Sequence, residues 1–192
     1  MSELDNMDER EQDWEEAKLV AGTEPMVTAD SEMVDIDLPE DVQKVLFFAL
    51  DEASKKLEEG EEVVPFTMVL AGDDVFMDEH PGEEVEDCFA MARNSVNVIA
   101  HLASAYVFCY DGFIELDDGT HDMLITEVGQ KGEDKAVAYG LMYVIDEEAG
   151  TIDFDEGMLT LGEAETLFDA NLVADAALIE EAYANLPEED AE

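Results

Sequence analysis

Asp117-Asp118-Gly119-Thr120-His121-Asp122 puts three carboxylates and one imidazole into a single short stretch, the pattern in this chain closest to a metal or acid–base site. A calcium loop needs oxygen ligands at its first, third and fifth positions, glycine at the sixth and glutamate at the twelfth. With Gly119 sixth, the first, third and twelfth positions fall on Ile114, Leu116 and Ile125, and the pattern fails. Zinc asks for several His or Cys ligands, and only His121 is local. Asp-Gly between two β-rich runs suits a hairpin turn, because glycine accepts positive φ and Asp bonds its own backbone. The stretch is therefore read as a turn. Asp117, Asp118 and Asp122 remain as weak metal candidates, and no cofactor is implied.

Nucleophilic chemistry has little support. Cys109 lies inside "YVFCYDG", where apolar burial raises a thiol pKa and mutes it. No spacing places His80, His101 or His121 beside it. The chain carries no GxSxG, HExxH, GxxxxGK[ST] or GxGxxG motif. Carboxylate pairs are uninformative where acids are this abundant. No catalytic residue is assigned, and the expectation leans away from an enzyme. Cys88 and Cys109, without CxxC spacing, are expected as reduced, packed thiols.

The abundance of acid is the dominant property. The 192 residues hold 53 Asp and Glu against 8 Lys and Arg, a net charge of −45. That field repels nucleic acid and anionic membranes and favours cations and basic proteins. Arg93 is expected to pair with Glu86 or Asp87, Lys55-Lys56 suit a helix C-terminus, and no basic patch forms, so direct nucleic-acid binding is disfavoured. No basic, apolar leader opens the chain, and no apolar run approaches the ~18 residues of a membrane span. A cytoplasmic location without membrane contact is the expectation.

The elements that would position any site follow from spacing. Residues 1–36 are acidic, with only Trp14, Leu19 and Val20 as sparse apolar points, and read as a flexible arm. Asp37, Pro39 and Glu40 form a helix start, and Val42, Val45, Leu46, Ala49, Ala53 and Leu57 make one stripe that Gly60 ends. Phe47 and Phe48 fall on the other side of that wheel, to be covered by C-terminal helices or by a partner. "VVPFTMVLAGDDVFM" reads as a hairpin around Gly72-Asp73-Asp74, with Pro65 starting its first strand late or marking an edge. Val85, Cys88, Phe89, Ala92, Val96, Ile99 and Leu102 give a second helix, with Glu83, Glu84, Glu86 and Asp87 at its start. Strands are expected at 105–110, 113–116 joined to 121–128, 135–145 and 151–154, separated by turns that include Asp111-Gly112. Thr160-x-x-Glu163 reads as a capping box opening a short helix, and Asn171 as the cap of another.

The helix, "PFTMVLAGDD", helix and "YDGFIELDDGTHDMLITEV" succession resembles a group of small uncharacterised bacterial α+β proteins, over about residues 40–155. In these a YDG step precedes a DG…D turn and a strand. The resemblance implies the fold and no activity.

The fold class is α+β, an antiparallel sheet of five to six strands with helices packed on one face plus C-terminal helices. Residues 37–186 form one domain and 187–192 an acidic tail. The function read from this is a non-enzymatic interaction module for a basic protein partner, with counterions around it and oligomeric state open. Three alternatives stand. Acidity is a solvent or lineage adaptation; the chain mimics nucleic acid through helix-borne acids such as Glu163, Glu165, Asp169, Asp175, Glu180 and Glu181; or the 111–122 loops bind a divalent cation or carry out catalysis. Phe47, Phe48, Glu163, Glu165 and Asp169 are the candidate interaction residues.

Overall fold

The computed structural model of the chain describes residues 36–116, 119–146 and 148–171. The first apolar stripe becomes α1 (Glu40–Glu58), which buries Val42, Val45, Leu46, Ala49, Leu50 and Ala53. The expected cap is displaced. Pro39 occupies the N-cap without a side-chain bond. Asp37 lies two residues too early, and Gln43 Nε2 instead reaches back to the carbonyls of Ile36 and Leu38. Glu40, freed from a capping role, pairs with Lys44 at 2.7 Å.

Strands β1 (Phe66–Ala71) and β2 (Asp74–Glu79) form the hairpin read from Gly72-Asp73. Gly72 has φ 63° and, among the described residues, no non-glycine residue has positive φ, the sign pattern of a type II′ turn. β1 starts just after Pro65, but it is an interior strand, and β2 is the one at the edge. Helix α2 (Val85–Val98) carries the chain across to β3 (Ala103–Leu116), followed by β4 (Gly119–Gln130) and β5 (Lys135–Asp146). Strands β6 (Thr151–Phe154) and β7 (Leu159–Glu165) then share the outer side of β5, β7 along Lys135–Gly140 and β6 along Tyr143–Asp146. The order is β2-β1-β3-β4-β5-β6, with β7 also on β5, and every pairing is antiparallel.

The α+β class and the antiparallel sheet are as expected, and four details differ. Among the described residues the sheet has seven strands. Thr160 and Glu163 lie in strand β7, because β5 has an open edge whose ladder outweighs a local capping preference. Asp111-Gly112 is no turn: both residues stay in the β3 ladder opposite Leu124 and Met123. Finally, the helices lie on opposite faces. α1 packs with Met68, Leu70, Val107 and Cys109, whereas Ala92 and Val96 of α2 pack with Val69, Tyr106 and Phe108, which alternate with them along the same strands. The other expected C-terminal helix, beyond Asn171 itself, lies outside the described residues, as do residues 1–35 of the acidic arm and the 187–192 tail.

Candidate functional site

The expected loop chemistry does not assemble. Asp117 and Asp118 lie outside the described residues. Asp122 is exposed on β4 opposite Phe113, and His121 faces Ile114. Among the described residues no group of three His, Cys, Asp or Glu side chains is placed to hold a metal ion. Cys109 is fully buried on the α1 face and its thiol pKa is raised by that burial. His80 packs instead against Phe108, on the other face, so the two do not meet. Cys88 and Cys109 are both free and buried.

The candidate interaction residues scatter. Phe47 and Phe48 are each 51% exposed on the outer side of α1. Glu163 and Glu165 are exposed on strand β7, not on a helix. Glu165 accepts a hydrogen bond from Arg93 at 3.0 Å, the partner that replaces Glu86 or Asp87, which lie nearly two turns away along α2. Asp169 is held beside α2, its N–H donating to Asn97 Oδ1 at 2.9 Å. These acids do not form one helical row.

A different surface does gather chemistry. Where β2 runs into α2, an open groove of about 990 Å³ is lined by Asp78, Glu79, Glu83 and Asp87 around Pro81, Ala90 and Met91. Its base is anchored. The His80 N–H donates to the Pro65 carbonyl at 2.7 Å, and its buried ring bonds Thr67 Oγ1 through Nε2 at 2.9 Å. Burial lowers the His80 pKa, against a smaller upward pull from Asp78. Ser95 donates to Asp78 Oδ2 at 2.9 Å, fixing one wall. Glu83 and Asp87 sit at the start of α2, where the helix dipole favours anions. Asp78 and Glu79 come from a separate element. Sequence reasoning saw each group in its own segment; the β2–α2 reversal that joins them is a tertiary feature.

The second feature missed is internal. Glu127, only 2% exposed, accepts a hydrogen bond from Tyr110 Oη at 3.0 Å. Burial pushes its pKa up from 4.5 to about 7; the Tyr110 bond opposes that shift and Glu165 adds to it. The one signal in the sequence was a glutamate inside the apolar run "MLITEV".

Compared with protein-family models, curated proteins and solved structures, the chain matches none. No helix among the described residues is long and apolar enough to cross a membrane.

Proposed function

We propose that the chain is a non-enzymatic binding module whose acidic groove engages a basic segment of a protein partner. One observation carries this reading: the carboxylates of Asp78 on β2, Glu83 in the connecting loop and Asp87 on α2 border one open groove whose lining includes no Lys or Arg. Their shared field lowers the energy of a cation entering between β2 and α2, while Pro81, Ala90 and Met91 offer apolar contact to its aliphatic stem. The net charge of −45 adds long-range attraction and makes association fast and salt-sensitive.

The test separates this groove from acidity in general. Asp78→Asn, Glu83→Gln and Asp87→Asn together are compared with Asp51→Asn, Glu58→Gln and Glu59→Gln, the same change in charge at exposed positions on and just after α1. Binding of a fluorescein-labelled oligolysine peptide is read by anisotropy at about 150 mM salt, where the Debye length is roughly 8 Å. The groove variant is expected to bind about tenfold more weakly and the control about as well as the parent. Equal loss in both would assign the acidity to a general solvent adaptation.

A further inference from the structure

The two ends of the sheet are finished differently. The outer side of β5 is taken by β7 and β6. β2, at the opposite end, pairs only with β1 among the described residues, and all six of its residues are exposed.

The hairpin dictates which backbone groups that leaves pointing outward. In a two-residue hairpin the closing pair, here Ala71 and Asp74, exchanges hydrogen bonds, and bonded pairs then alternate. The His80 N–H to Pro65 carbonyl bond continues the same alternation at the far end. The N–H and C=O groups of Val75, Met77 and Glu79 therefore face away from β1. Natural edge strands are blunted by charged side chains, proline or a bulge. β2 has no proline and no bulge, it exposes Val75, Phe76 and Met77, and its charges, Asp74, Asp78 and Glu79, are all negative, so they bar an acidic strand and admit a basic one.

Resting on the reading of the groove given above, we infer that β2 is the docking edge, and that the partner's basic segment adds to it as an antiparallel strand. Charge selects the occupant. A second copy centred on Phe76 would set Asp74 opposite Asp78, like charges in direct cross-strand contact, on chains of −45 each. A cationic strand meets the opposite condition.

Side chains of Asp74, Phe76 and Asp78 share the α2 side of the sheet, because Val69 of that face pairs with Phe76. Val75, Met77 and Glu79 share the α1 side, where Lys56 already pairs with Glu79. The fitting strand places lysine opposite Asp78 and Asp74, an aromatic opposite Phe76, and aliphatic residues opposite Met77 and Val75. A neutral residue belongs opposite Glu79, since Lys56 repels a second cation there. One more lysine, beyond the Asp78 position, reaches the groove beside Glu83. Read from its own N-terminus, the segment is Lys-Thr-Lys-Val-Phe-Val-Lys.

That peptide, fluorescein-labelled, is the probe, measured with the full chain by anisotropy and by hydrogen exchange at Val75, Met77 and Glu79. Those amides are expected to exchange rapidly in the free chain and to slow on binding. Methylating the backbone nitrogens of the two peptide valines keeps the charge and removes two donors at the centre of the ladder, and is expected to weaken binding about tenfold or more. Met77→Pro removes an outward N–H and is expected to do the same relative to Met77→Ala, which controls for the lost side chain, with circular dichroism unchanged. Equal binding of parent and methylated peptides, with amide exchange unchanged, would overturn strand addition while leaving the basic-partner reading standing. No binding by either peptide or by oligolysine would remove both. Slow exchange in the free chain would show the edge already occupied, by a second copy if light scattering reports a dimer and by the chain's own remaining segments if it reports a monomer; either overturns the proposal.

Discussion

The two faces of the sheet are built on different chemistry. The α1 face is mostly aliphatic: Leu46, Leu50, Met68, Leu70, Val107, Leu124 and Val128 close on one another, with Phe66, Tyr139 and Tyr143 in the same cluster. The α2 face is aromatic and polar. Tyr106, Phe108 and Tyr110 line it in successive inward positions, Phe89 meets Phe108 edge-on at 4.8 Å between ring centroids, and Glu127 is buried beneath Tyr110. Tyr106 reaches across its partner strand, its hydroxyl accepting the Leu167 N–H at 2.8 Å. An aliphatic face depends on volume and tolerates pH; a face holding a buried carboxyl depends on protonation. Both groove-forming elements, β2 and α2, connect to that second face, so the charged surface rests on the more condition-sensitive half of the core.

The largest effect that tests this contrast is Leu46→Ala. The side chain is fully buried between α1 and the sheet, and its loss is expected to lower stability by roughly 2–5 kcal/mol, independently of pH. Urea melts at two pH values check it; a loss under about 1 kcal/mol would mean that α1 does not carry this face.

Next comes Glu127→Gln. The carboxyl's folded pKa, about 7, lies above its ordinary 4.5, so the folded state holds the proton more tightly than the unfolded chain. The stabilisation from that proton is complete below pH 4.5 and is lost as pH rises through 7. The substituted amide would keep a neutral acceptor for Tyr110 throughout. The variant is expected to match the parent near pH 4.5 and to exceed it by about 3 kcal/mol at pH 8. A stability difference that stays flat with pH would show that Glu127 is not the titrating group.

Gly129→Ala is expected to cost about 1–3 kcal/mol. A Cβ there would stand 2.2 Å from Tyr106 Cε1, and the ring cannot retreat while Leu167 holds its hydroxyl. In a double-mutant cycle with Tyr106→Ala the cost should largely vanish; if it persists, backbone strain and not ring contact is responsible. The smallest effect is Thr67→Val, which leaves the buried His80 Nε2 without its partner and is expected to cost about 1–2 kcal/mol in a thermal melt. An unchanged midpoint would release His80 from its anchoring role.

Much of the fold was legible because its signals are local. The period of Val42, Val45, Leu46, Ala49 and Ala53 was enough for α1, and Gly72 was enough for the first hairpin. The same is true of the turn after β5, where Asp146 Oδ1 accepts the N–H groups of Glu148 and Ala149 at 2.9 Å each. The metal reading of Asp122 had no such geometry behind it, and Asp117 and Asp118 lie outside the described residues. What was illegible involved residues far apart in the chain. Thr160 and Glu163 carry a capping pattern worth about 1 kcal/mol, which a strand edge seeking partners overrides. Asp111-Gly112 has turn chemistry, yet Tyr143 Oη donates to Asp111 Oδ1 at 2.8 Å and the ladder runs through.

By itself the sequence determined the charge, the two helices, the hairpin and most strand positions, because side-chain periodicity and turn residues act within a few positions of one another. Only the tertiary structure decided which face each helix covers, where Glu127 is buried, that Arg93 reaches Glu165, and that β2, the edge strand among the described residues, lies beside a carboxylate groove. Those outcomes depend on closing long loops and pairing distant edges, whose free energies exceed any local preference and leave no mark in the spacing of neighbouring residues.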